Sequence, residues 1–119
     1  MRLALLLALM TLPAAAQGLR PSDSQLDATG LSEALTGQVI EFYDGSKSYY
    51  YPDGTYIYTY VDGGEEWDGT YELAGAGSVC VRMTVGGSRC DTYVMDGDRL
   101  VLVIADGTRF PVRARTALQ

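Results

Sequence analysis

Tyrosine is the residue type best placed to form a binding surface in this chain. There are 9 Tyr against 2 Phe and 1 Trp. Tyr49, Tyr50 and Tyr51 precede Pro52-Asp53-Gly54, and Tyr56, Tyr58 and Tyr60 follow at every second position. Rings at that spacing share one face of a strand, where they could stack on a sugar ring, a peptide or an apolar ligand. The candidate binding residues are Tyr49, Tyr51, Tyr58, Tyr60 and Trp67. In the plainer alternative the tyrosines stand in for the scarce Phe as the core and its rim, with Tyr56 inside and Tyr58 or Tyr60 nearer an open end. The opposite face of the same run, Thr55, Ile57, Thr59 and Val61, would also suit an interior.

Other groups are less productive. Asp62, Glu65 and Glu66 form one carboxylate cluster and Asp96 with Asp98 another. Acid–base hydrolysis would need one of them in a cleft with a raised pKa, and both clusters fall on expected turns in water. The alternating ligands of a calcium loop are missing. Ser46, Lys47 and Ser48 read as a polar turn tip, whereas a Ser/Lys hydrolase would bury such a pair. Gly63-Gly64 and Gly86-Gly87 are hairpin glycines that open no helix, so neither is a phosphate loop. The chain has no histidine, which removes Ser-His-Asp and Cys-His catalysis, His-ligated zinc and an imidazole switch. The expectation is a protein that is not an enzyme and carries no cofactor and no metal.

The net charge of −6 gives no basic footprint for nucleic acid. Met1-Arg2, the apolar run from Leu3 to Leu12, Pro13 and the small residues Ala14-Ala15-Ala16 have the form of a secretory signal peptide, cut near Ala16. The run is too short to span a bilayer. Cleavage would leave 103 residues with net charge −7, destined for the periplasm or the medium, with no membrane attachment. That length supports one small domain.

Residues 17–30 are polar and read as a flexible arm, and 31–36 as a short helix capped by Thr29 or Ser32 and stopped at Gly37. From residue 37 to 119 a single β-domain is expected. Asp-Gly occurs six times, at residues 44, 53, 62, 68, 96 and 106. It is a strong hairpin signal, read here as type I′. Asp68-Gly69 sits inside a run, as a bulge or as an outward Asp beside a packing Gly. The runs 38–43, 47–51, 55–61, 66–73, 78–85, 89–95, 99–105 and 108–112 are eight short strands. Their connections are too short for parallel crossovers, so the sheet is antiparallel. An up-and-down meander closing into a small barrel best removes the edges; the alternative is a two-sheet sandwich. Alternation points Ile40, Phe42, Trp67, Gly69, Tyr71, Leu73, Val79, Val81, Met83, Phe110 and Val112 inward. Leu100 to Ile104 is apolar on both faces, so the outward Val101 and Val103 need a cover, expected from the N-terminal arm with Leu31 and Leu35, or from a partner. The Leu31–Leu35 segment is expected to pack either on this stripe or on an open barrel end next to it.

Cys80 and Cys90 flank the Gly86-Gly87 turn. If Thr84–Gly86 centre it, the two oppose each other directly, as a cross-strand disulfide requires.

Tyr51-Pro52-Asp53-Gly54-Thr55, Gly64 to Trp67 with Gly69 and Tyr71, the two cysteines, and Asp96-Gly97-Asp98 together resemble a group of small, functionally uncharacterised bacterial secreted proteins. The resemblance covers about residues 37–112. It implies a lipocalin-like or streptavidin-like meander and a periplasmic home, and brings no catalytic residue. Tyr71 stands where those proteins often have Trp. The chain is also similar to small periplasmic lysozyme inhibitors, which are acidic, disulfide-stapled barrels. Asp44-Gly45-Ser46-Lys47 loosely echoes their inhibitory loop. The expected function is a non-catalytic binding module for a small apolar or sugar-like ligand or a protein. The alternative is an inhibitor of a basic cell-wall hydrolase, because opposite potentials speed encounter.

Overall fold

The computed structural model describes residues 18–61 and 64–119. The leader assigned to residues 1–16 and the Asp62-Gly63 turn lie outside the described residues. The elements are β1 (Asp23–Gln25), α1 (Ala28–Leu35), β2 (Gln38–Phe42), β3 (Lys47–Tyr50), β4 (Thr55–Thr59), β5 (Glu66–Leu73), β6 (Ser78–Met83), β7 (Ser88–Asp96), β8 (Arg99–Val103) and β9 (Arg109–Ala117). Strands β2 to β9 pair antiparallel in sequence order, and β9 pairs with both β8 and β2, which closes an eight-stranded barrel. Closure excludes the two-sheet sandwich. β9 runs five residues past the expected end because Arg113 to Ala117 carry little apolar signal, yet their backbone forms the closing seam, with Gln38 opposite Ala117.

Three of the Asp-Gly turns, at residues 44, 53 and 106, are not type I′. At Asp44, Asp53 and Asp106 only the glycine takes a positive φ. Each Asp carboxylate instead accepts from the backbone N–H two residues on, at 2.9 Å. The N–H of Gly45, Gly54 and Gly107 bonds back three residues, to Phe42, Tyr51 and Ile104. This is a type I turn followed by a left-handed glycine, the three-residue hairpin. Thr84-Val85-Gly86 repeats the same backbone pattern, which puts Cys80 opposite Cys90 with a Cα–Cα distance of 4.0 Å, joined as a disulfide. Gly69 is a packing glycine and no bulge: a Cβ there would run into the Arg82 carbonyl, while Asp68 turns out to bond Thr84.

α1 starts three residues earlier than expected, and its cap is Asp27, whose carboxylate accepts from Gly30 N–H at 2.7 Å. Leu31 and Leu35, four apart on one face, are fully buried in the same cluster as the barrel interior. The helix therefore plugs the barrel end that carries the turns at residues 51–54, 74–77 and 97–98. Of the two places expected for this segment, the outer stripe and a barrel end, it takes the barrel end. Val94, Val101 and Val103 form a separate buried cluster.

The arm explains that cluster. Gly18 packs against Gly107, and β1 pairs with the end of β7, so residues 18–22 must cross the outer surface of β8 to join the two. Arg109 fastens the crossing, donating to the Gly18 carbonyl at 2.7 Å and to both Asp23 oxygens at 2.7 and 2.8 Å. What reads as a flexible arm is thus held by an ion pair and a strand. Its polar composition gave no sign of this, because backbone pairing and one arginine on a distant strand supply the attachment.

Candidate functional site

The inward face is unusually polar for a barrel this small. Tyr50 and Tyr93 meet hydroxyl to hydroxyl at 2.9 Å at its centre, and Tyr50 packs against the rings of Tyr56 and Tyr71 at 5.3 and 5.0 Å between centroids. Burial pushes both phenols upward, Tyr50 well above the usual range. The Tyr56 hydroxyl meets Ser48 Oγ at 2.9 Å, and burial raises its pKa to about 12. Tyr71 donates to the Tyr51 carbonyl at 2.7 Å. Each buried hydroxyl finds a partner, as a low-dielectric interior demands.

The end opposite α1 is open. Its turns follow β2, β4, β6 and β8, and between them lies a cavity of about 520 Å³ lined by Tyr56, Tyr58, Tyr60, Trp67, Met83, Val85 and Arg89, among others. A smaller recess of about 120 Å³ adjoins it, sharing Tyr56, Tyr58, Val81 and Arg89, and is lined by the buried Ser46, Ser48 and Asp91, with the exposed Asp44 at its edge. The outer part is aromatic: Tyr58 stands opposite Trp67 across the β4–β5 pair, and Tyr58 meets Tyr60 edge-on at 5.0 Å. The indole N–H of Trp67 is buried without a hydrogen-bond partner. Tyr60, Val61 and Val85 are exposed on the surrounding turns, an apolar rim.

The inner part is charged. Asp91 is buried, its side chain 7% exposed, and Arg89 Nε lies 3.0 Å from its Oδ2. Burial pushes the Asp91 carboxyl above its ordinary value, while Arg89 pulls it back. Arg89 itself is 56% exposed. Asp44 accepts from the Ser46 hydroxyl at 2.6 Å and from the Ser46 N–H, which hold its pKa below the usual carboxylate range.

Of the five aromatic candidates, Tyr58, Tyr60 and Trp67 meet at the mouth. Tyr49 and Tyr51 do not. Tyr49 faces outward beside Val39 and Ile57, because alternation sends Ser48 and Tyr50 inward. Tyr51 begins the turn at the plugged end. The Ser46-Lys47-Ser48 tip is also corrected: both serines are buried on the inward side, and Lys47, one residue out of phase, faces away. Asp96 lies 3.7 Å from Arg109 on the outer surface, away from the mouth. Arg89 and Asp91 went unrecognised, although Arg89, Asp91, Tyr93 and Met95 alternate along one run and so share the inward face.

Closure, one plug and one open aromatic mouth define a small all-β barrel. Comparison with protein-family models, curated proteins and solved structures finds no significant match.

Proposed function

We propose that the chain is a non-catalytic binding module of the periplasm or medium, and that the barrel mouth is its site. The observation that carries this reading is the asymmetry of the two ends. One end is filled by Leu31 and Leu35; the other keeps a cavity of about 520 Å³ walled by tyrosine and the sole tryptophan. A fold that only needed to be stable would gain by filling both ends, since buried apolar area contributes roughly 25 cal/mol per Å². The Cys80–Cys90 disulfide is compatible with an oxidising compartment. Trp67 is a built-in reporter. Ligand entry is expected to shift or quench its emission, and a screen of aromatic, aliphatic and sugar compounds reads this directly. A Trp67 signal that no compound changes, in protein whose fold is intact, argues against the site.

The apolar rim supports a second reading, a protein partner seated over the mouth. A basic cell-wall hydrolase remains the partner of choice for an acidic barrel. Loss of muramidase activity on adding the protein, relieved by Val85→Asp and Tyr60→Asp, is the expected result.

A further inference from the structure

We propose that the mouth selects a small organic anion, with a flat apolar body against Tyr58, Tyr60 and Trp67 and its acidic group on Arg89. This rests on the mouth being a binding site and names the chemistry it takes. Among the described residues lining the outer cavity, Arg89 is the only one with a formal charge, in a chain whose net charge is −6. A lone cation at an aromatic mouth is unexpected in so acidic a protein unless it meets something.

Its setting fits that role. Asp91, buried beneath it, lies 3.0 Å from Nε and pairs with the side chain at that atom. More than half of the Arg89 side chain is exposed, and the residue lines the cavity. A guanidinium edge suits a carboxylate, sulfonate or phosphate, which accepts two parallel hydrogen bonds. The pair is neutral overall, yet its charges are ordered. The carboxylate is deep and nearly closed to solvent, and the cation lies between it and the mouth, so a ligand entering from solvent meets the cation first. Asp44, the other acid of the recess, is already occupied by the Ser46 donors. Tyr58 and Trp67, paired across two strands, supply the wall for the apolar body.

The test uses two fluorescent probes that share a body and differ by one group. These are 8-anilinonaphthalene-1-sulfonate and its uncharged relative N-phenyl-1-naphthylamine. Titrated into the disulfide-intact protein, with Trp67 quenching as the second readout, the sulfonate should bind at least about tenfold more tightly, the scale of one charged hydrogen-bonding contact. Arg89→Gln should bring the two affinities close together by weakening the sulfonate more than the neutral probe. Because that variant leaves Asp91 unpaired, the double variant Arg89→Gln/Asp91→Asn is made beside it. It removes both charges and should also abolish the preference. Equal affinities in the unaltered protein, or a sulfonate preference that survives in a folded double variant, overturn the anion proposal and leave the mouth as a site. Failure of both probes to bind or to quench Trp67 overturns both.

Discussion

Two carboxylates with opposite environments set the pH response. Asp23 is held below its ordinary value first by its hydrogen bond from Arg109. The stability this adds is complete above a pH of about 4, the unfolded carboxylate range, and is lost as the pH falls through the lowered folded value. Asp91 is the reverse. Burial raises its folded pKa, so the folded state keeps a proton that the unfolded chain has released. Stability therefore declines as the pH rises from about 4 through that raised value. Melting temperatures taken from pH 3 to 7 should separate the two. Asp91→Asn should flatten the decline above pH 4, and Asp23→Asn should weaken the loss below it. An unchanged profile in Asp91→Asn would mean that Arg89 compensates the burial fully. At the barrel centre, Tyr93→Phe removes the 2.9 Å partner of the buried Tyr50 hydroxyl, which should cost about 1–3 kcal/mol, read by urea unfolding.

At the scale of elements, stability concentrates in the β6–β7 hairpin and the plug. Replacing Cys80 and Cys90 together with Ser opens a closed loop of ten residues' separation. The chain-entropy argument values that at about 2–3 kcal/mol, or roughly 10–20 °C in a domain of this size. Leu31→Ala should cost about 2–5 kcal/mol, because the helix cannot collapse into the gap that it leaves under the Tyr50 cluster. These elements were legible beforehand to different degrees. The eight barrel strands could be read because Asp-Gly punctuates them and apolar residues alternate within them. The turn type could not, since it depends on whether Asp joins Gly in taking a positive φ, and the Asx bonds decide that locally. β1 has three polar residues and no pattern of its own; it exists because the edge of β7 accepts it. At the mouth, Tyr58, Tyr60 and Trp67 were evident from aromatic spacing. Arg89 and Asp91 were not, because inward-facing charges oppose the expectation that a barrel interior is apolar. Tyr49 and Tyr51 were chosen as neighbours in sequence, and strand alternation separates such neighbours to opposite faces.

At the scale of the whole molecule, the N-terminal crossing works as a strap across the closed barrel. Its polar residues would gain nothing alone. Fixed by Arg109 on the Gly18 carbonyl at one end and by Asp23 and the rest of β1 at the other, they lie over β8 and the neighbouring end of β7, where Val94, Val101 and Val103 are almost fully buried. A chain that begins at Leu26 keeps the helix, its cap and the Leu26 side chain packed on the core, and loses only this strap and β1. Its valines would face water, each with an apolar side chain whose full burial is worth about 1.5–3 kcal/mol, and the end of β7 would present unpaired backbone groups. Both changes favour contact between copies, through an apolar patch beside an open strand edge. The expected outcome is a lower melting temperature and a mass by light scattering that rises with concentration. Val101→Thr with Val103→Thr in the shortened chain should restore the monomer without restoring the melting temperature, since the patch is made polar while the lost strand pairing stays lost. A shortened chain that is monomeric and melts at the original temperature would show that the strap adds nothing to the barrel. The valine stripe would then join the mouth as a surface available to a partner.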